Sequence, residues 1–389
     1  MIGRSRRIVS HPKRYTGSMI PKSPKCRGES CIRPSTLTQR LKAEAQRLGF
    51  HAVGVASAQT IRESGLRPGF GRKPSCAFPD DAVSVVSVAL SYYYRPKDTE
   101  SVSSLAGRVA RFAWGQDYHR VLGARLQALA DWLREESGCD SAICVDTGPL
   151  TDRVAARASG IGRYGKNCVI HVPGYGSWVV LGELVTSDEL ELDQPNDTDQ
   201  CGSCSLCIDA CPTGAVVAPG KIDMTRCVSL LTQKSGYAPR ELRPAIGDRI
   251  FGCDACQDAC PQNRTAGQTD VEEFLRLTPP GRSPSLISIL RMTSEEFEAQ
   301  IRGNTMAWIG LTRLRRNAAV ALGNSGDPAA VPALIEALSD AEPLVRGHAA
   351  WALGRIGDEQ GLSAVKEALA AETDADARAE MVVRVTCFP

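Results

Sequence analysis

The sequence predicts a chain of mixed α and β class divided into several domains, and three observations carry that expectation. Helical and extended apolar periodicities alternate between residues 36 and 192. Eight cysteines crowd between Cys201 and Cys260. A block beginning at Leu314 returns in nearly the same form at Val345. A length of 389 residues leaves room for two or three domains with substantial cores.

Residues 1–35 carry nine Lys or Arg against the single acid Glu29, whereas the whole chain has a net charge of only +2. They read as a disordered basic extension on a mildly acidic body. Arg6-Arg7 lacks the apolar run of an export signal, so a cytoplasmic location is expected, with organelle import as the minor alternative. The sequence has no uninterrupted apolar run of about eighteen residues, the length a membrane span needs. Folded structure is expected to begin with a helix capped by Ser35 or Thr36, carrying Leu37, Leu41, Ala45 and Leu48 at helical spacing. A strand over 52–56, a Gly- and Pro-rich loop over 65–79 and a buried strand over 82–90 follow. The stretch 117–136 is an amphipathic helix presenting Val121, Leu122, Leu126, Leu129 and Leu133. Strands over 141–145 and 177–185 flank a helix over 152–159, which completes an α/β domain over 36–192.

The cysteines define the next domain, 193–265. Cys201, Cys204, Cys207 and Cys211-Pro212 keep the bacterial spacing for four-iron four-sulfur clusters, in which the fourth cysteine serves the other cluster. Cys253, Cys256 and Cys260-Pro261 repeat the last three positions, but Ile250 stands where the leading thiolate belongs. Cys227 is the substitute. One cluster is therefore assigned to Cys201, Cys204, Cys207 and Cys260, and the other to Cys211, Cys227, Cys253 and Cys256. Structural zinc would account for the short spacings but not for paired Cys-Pro endings or a total of eight. The remaining cysteines, at 26, 31, 76, 139, 144, 168 and 387, show no regular disulfide framework, and cluster ligands need free thiolates, so a reducing compartment is expected.

A polar linker over 265–283 leads into the repeats of the last domain, 266–389. Leu314-Arg-Arg-Asn-Ala-Ala-Val-Ala-Leu-Gly323 and Val345-Arg-Gly-His-Ala-Ala-Trp-Ala-Leu-Gly354 resemble stacked HEAT-like helical pairs, with a fainter third copy near Ala377-Arg378. Arg315, Arg316, Arg346 and Arg355 are candidates for a phosphate-binding surface, set against the ordinary alternative of solvated or ion-paired side chains.

Outside the cysteines, Val145-Asp146-Thr147-Gly148-Pro149-Leu150 places an acid at the end of a strand, where ligand sites are commonly built. Asp146 is either that site's acid or a cap for the following helix. Ser159 to Asn167 packs three glycines with two cations, a composition suited to close backbone approach by a phosphate-bearing cofactor, yet it matches neither the Walker nor the dinucleotide pattern. Arg111 to His119 gathers aromatics, a cation and an imidazole ahead of a helix that Asp117 can cap.

Taken together, Arg111 to His119, Val145 to Leu150, Gly160 to Asn167, Gly182 to Val185, the first cysteine run, Arg226 to Ser229, Leu242 to Pro244 and Arg249 to Gln257 resemble the epoxyqueuosine reductase family. The resemblance implies a cobalamin-binding α/β domain like that of reductive dehalogenases, a ferredoxin-like module with two 4Fe-4S clusters, and C-terminal HEAT-like repeats. It implies reduction of epoxyqueuosine in tRNA to queuosine with Asp146 as proton donor, a role that calls for a raised carboxyl pKa. Arg111, Tyr118, His119, Asp146, Lys166, Asn167, Asp254 and Gln257 become the candidates for the cobalamin pocket. The implied partners are the tRNA and an unidentified low-potential electron donor, with no membrane and a monomeric chain. Three departures stand out: the segment from Gln59 to Asp81 is shorter than in the family, Lys234 replaces a common acid, and Gln262 replaces a Trp. They keep open a related corrinoid reductase acting on a small molecule. A non-catalytic electron carrier with a partner-binding repeat domain is the alternative from another class.

Overall fold

The computed structural model describes residues 36–64, 78–96, 103–146 and 148–386. The basic extension and most of the Gly- and Pro-rich loop lie outside these residues. Helix α1 (Leu37–Arg47) starts behind Thr36, whose hydroxyl accepts the Gln39 N–H at 3.2 Å. Strands β1 (Ala52–Ser57), β2 (Ser84–Ser91), β3 (Ser141–Cys144) and β4 (Val179–Thr186) form one sheet in the order β1-β2-β4-β3. Every pairing is antiparallel. Alternating helices and strands ordinarily signal a parallel sheet. Here β2 returns alongside β1, and β4 inserts between β2 and β3 from the opposite direction, so the domain is mixed α and β on an antiparallel sheet.

All eight residues of β2 are buried, which requires cover on both faces. Val86, Val88 and Leu90 meet Leu122, Leu126, Leu129 and Leu133 of α2 (Tyr118–Ser137), while Val85 and Ala89 face the side of Ala155 and Ala156 on α3 (Asp152–Ala158). Each fully buried leucine contributes about 1.5–3 kcal/mol. Gly182 of β4 lets α2 sit this close, because a Cβ there would lie 2.8 Å from the side chains of Leu122 and Leu126.

The segment over 265–283 is not the plain polar linker that its composition suggested. Val271 and Phe274 are buried in the same core as α2, the first capping and the second lying on a short helix, Glu272–Leu275. Two apolar residues suffice to turn a connector into a strap.

Helices α4 (Gly310–Ser325), α5 (Val331–Ala337), α6 (Pro343–Ile356), α7 (Glu359–Ala371) and α8 (Ala375–Thr386) form the repeat array. Gly323 lets α4 and α6 touch, since a Cβ on it would lie 2.8 Å from that of Ala352. Their core is continuous with Ile250 and Phe251 of the cysteine region. Arg316 is fully buried there and donates to the carbonyls of Leu231, Lys234 and Gly236 at 2.7–2.9 Å. Arg315 pairs with Asp340 and Arg346 with Glu372. Of the four repeat arginines only Arg355 is exposed, so the arrangement is the ordinary alternative to a phosphate-binding row: the others fasten the array to itself and to the cysteine module. No helix among the described residues is long and apolar enough to cross a membrane.

Candidate functional site

Ile250, the residue in place of a ligand, is completely buried in the strand Arg249–Phe251, and its carbonyl accepts from Asn317 at 2.8 Å. It belongs to the core. Cys227 instead opens the short helix Val228–Leu231 and lies within electrostatic reach of Cys253 and Cys256. Burial pushes the Cys256 thiol up to about 12, and the neighbouring Cys253 and Cys227 add to the shift. Burial likewise raises Cys207 and Cys260, with Cys201 and Cys204 adding charge repulsion to both. The mutual influences fall mainly within the two groups that the spacing gives, Cys201, Cys204, Cys207 and Cys260 on one side and Cys227, Cys253 and Cys256 on the other, with Cys207 also reaching Cys256 across them. Cys211 stands apart in character. Burial opposes its ionisation, but backbone N–H groups outweigh that and lower its pKa, with the Ala215 N–H 3.1 Å from Sγ. Thiols that raise one another's pKa gain most from bound cationic iron, so the residues fit the clusters their pattern implies. Among the described residues no three metal-ligating side chains close around a single ion.

Ten described cysteines are free, but Cys144 at the end of β3 is disulfide-bonded. Two residues on, Asp146 adopts φ 51°, a left-handed conformation that Asp tolerates better than most residues. Its Oδ2 accepts from the Tyr118 hydroxyl at 3.0 Å and lies 3.6 Å from Nε2 of His119. The following helix begins at Asp152 behind Thr151, so Asp146 is not its cap.

Tyr118 and His119 are the first two residues of α2, stacked with ring centroids 4.0 Å apart. Asp117 caps the helix by accepting the His119 N–H at 3.1 Å, and the same Oδ1 lies 2.8 Å from His119 Nδ1. Burial opposes charge on His119, yet its hydrogen bonds to Asp117 and Asp146 prevail and push its pKa up to about 9. Burial, then the Asp146 charge, hold the Tyr118 hydroxyl well above its ordinary value. At neutral pH the imidazolium is thus the store of a proton beside Asp146.

A cavity of about 310 Å³ opens beside this group. Asp146 and Tyr118 line it together with Tyr92, Ser177, Gln257 and an apolar wall that includes Ile170, Val179 and Leu181. Gln257 adjoins Cys256 in sequence and accepts the Ser177 hydroxyl at 2.9 Å, so the cavity touches both the acid and the cluster module. The other candidates stand behind its walls. Arg111 lies over the rings of Trp114, Trp178 and Tyr93 at 4.9, 5.2 and 5.9 Å and pairs with Asp258. Asp254 accepts the Arg111 N–H at 2.9 Å, and burial pushes its pKa up to about 6. Lys166 donates to the carbonyls of Gly202 and Cys204 at 2.6 and 3.0 Å, and Asn167 to that of Cys256 at 3.4 Å. Consecutive residues of the glycine-rich loop thus hold the two cysteine runs. Gly165 serves this packing directly, since a Cβ there would lie 2.6 Å from Asn167 and His171 side-chain atoms. Tyr92, Asp152, Arg153 and Ser177 also line the cavity without having been singled out in the sequence; the run Tyr92-Tyr93-Tyr94 after a buried strand was the available signal for the first.

Family models match in three places: a 4Fe-4S double cluster binding domain over 200–263, "Epoxyqueuosine reductase QueG, DUF1730" over 73–147, and HEAT repeats over 312–383. The chain is 37% identical over 366 residues to the epoxyqueuosine reductase of Bacillus subtilis (strain 168), covering 89% of this chain and 94% of that one. A solved epoxyqueuosine reductase bound to a tRNA-Tyr epoxyqueuosine-modified stem loop superposes with a TM-score of 0.82 at 36% identity, covering 90% of this chain and 98% of the other. A Bacillus subtilis epoxyqueuosine reductase whose aspartate catalytic loop is swung out of the active site gives a TM-score of 0.81 at 35% identity, covering 91% and 99%.

Proposed function

Since the chain belongs to the epoxyqueuosine reductase family, we propose that it reduces epoxyqueuosine in tRNA to queuosine, with Asp146 delivering a proton to the departing oxygen. The conversion of an epoxide to an alkene and water consumes two electrons and two protons. The observation that carries the assignment of roles is the cavity with Asp146 and Tyr118 on one wall and Gln257, next to Cys256, on another. That cavity and its apolar wall suit one face of a cobalamin, which Tyr118, Asp146 and Gln257 would hold, with Arg111, Lys166, Asn167 and Asp254 supporting the residues around it. When bound, cobalamin supplies reducing equivalents at carbon, replenished singly by two 4Fe-4S clusters.

The chain's own residues manage position and protons. Tyr118 orients the Asp146 carboxyl through its 3.0 Å hydrogen bond. His119, charged at neutral pH, passes a proton to Asp146 Oδ2, and Asp117 holds the imidazole in place from its other nitrogen. Phe112, Tyr92, Val179 and Val180 give the cavity an apolar lining beside the acid.

Anaerobically purified protein should hold about eight iron atoms per chain together with corrinoid, and convert epoxyqueuosine tRNA to queuosine tRNA when given a low-potential reductant. Full activity in a preparation free of cobalt removes the cobalamin role. Reduction of free small molecules with none of the tRNA would instead support the small-molecule reductase.

A further inference from the structure

On the far side of His119 from the Asp146 cavity lies a second hollow of about 330 Å³, lined by Asp117, His119, Phe297, Arg302, Thr305 and Trp308 among others. It is built rigidly. Asn304, almost wholly buried, donates to the Ala113 carbonyl at 2.7 Å and the Thr278 hydroxyl at 2.8 Å, and caps the short turn Thr305–Ile309 by accepting the Met306 N–H at 2.9 Å. Thr305 donates to Asp117 at 3.2 Å, which fixes the turn against the residue that holds His119. Trp308 rides on this turn with 42% of its surface exposed, unusual for so large an aromatic residue. The Arg313 guanidinium lies 5.2 Å from its ring centroid and is itself held by the carbonyls of Gln233 and Trp308. An exposed indole backed by a fixed cation is the combination that stacks an unpaired base, while Arg302 at the rim is paired with Glu298.

We propose that Trp308 is a stacking platform for an unpaired RNA base beside the modified nucleoside, and so a positioning residue for the reaction. The inference rests on the tRNA reading given above. It adds a place for the substrate beyond its reacting ring. His119 lines this hollow and bonds to Asp146, so a base held here lies one side chain from the acid that acts on its neighbour. Asp117 Oδ1 already accepts from His119 and Thr305, and Glu298 is paired with Arg302, so it is the flat apolar face of the indole that favours a base over a bare phosphate as occupant. The proposal gives the repeat region an RNA role through its first turn instead of through the arginines buried or paired deeper in the array.

The test uses the anaerobic holoprotein with Trp308→Ala and Trp308→Phe, an unmodified anticodon stem-loop RNA for binding, and epoxyqueuosine tRNA for turnover. Trp308→Ala should weaken RNA binding and raise KM by about tenfold with kcat nearly unchanged, while Trp308→Phe, which keeps a stacking face, should stay within about threefold of wild type. Iron content and melting temperature report whether each variant is folded. Wild-type RNA affinity and KM in Trp308→Ala overturn the platform, as does a Phe variant with normal iron content that is as weak as the Ala variant. A wild-type protein that neither binds nor reduces RNA overturns the tRNA reading itself, a result distinct from either of these.

Discussion

The cysteine module and the acid cavity share Gln257 and Cys256 as neighbours but hold charge in opposite ways. In the module, burial and mutual repulsion raise the thiols of Cys207, Cys253, Cys256 and Cys260, so the protein alone disfavours the state its ligands must adopt. In the cavity, His119 sits between Asp117 and Asp146, and opposite charges stabilise one another with no added group. One site is organised by what binds it and the other by the chain. Loss of metal should therefore disturb the module first, while the acid group keeps its geometry.

The largest effect that separates the two is on the module. Cys256→Ala should lower iron from about eight to about four per chain and abolish turnover, while the stoichiometry and pH dependence of the acid group are unaltered; an unchanged iron count would mean that Cys256 is no ligand. Next comes the anchoring of the repeats. Arg316→Ala leaves three buried carbonyls short of a charged donor and should cost about 3 kcal/mol or more of stability, whereas Arg355→Ala, at an exposed position, should change it by less than about 0.5 kcal/mol. Urea unfolding of both variants checks the contrast, and equal effects would show that the repeats do not depend on the buried contact. The smallest effect is electrostatic. The His119 pKa rises from 6.5 to about 9 on folding, so its contribution to stability is fully present below pH 6.5 and is lost as pH rises through about 9. Melting temperature followed from pH 6 to pH 10 should fall over that window in wild type more steeply than in His119→Gln; parallel curves would place the stored proton elsewhere.

The same contrast explains what could be read from the chain. Cluster ligands sit at fixed short spacings because one metal group must be reached from a single loop, which is why Cys201, Cys204 and Cys207 stand out as a pattern, and Cys227 was proposed as a ligand because Ile250 occupies the leading place. The Leu122, Leu126 and Leu129 stripe and the Thr36 cap were equally local and held to within a residue or two. Asp146 was legible as an acid at a strand end, but its partners Tyr118 and His119 come from the start of α2, and only tertiary packing brings them to it. Strand direction was not legible, because periodicity is identical for parallel and antiparallel strands. Arg315, Arg316 and Arg346 were left open for a related reason: a cation in a repeat reads the same whether it meets phosphate, a buried carbonyl or Glu372.

The division of labour between metal and acid is tested most directly by mixing pre-reduced holoprotein with epoxyqueuosine tRNA and following cluster oxidation and queuosine formation together. Wild type should show both, whereas Asp146→Asn, with clusters and corrinoid intact, should slow product formation by about 100- to 10,000-fold and keep its clusters reduced. Queuosine formed by Asp146→Asn at the wild-type rate would contradict the assignment of the acid to Asp146.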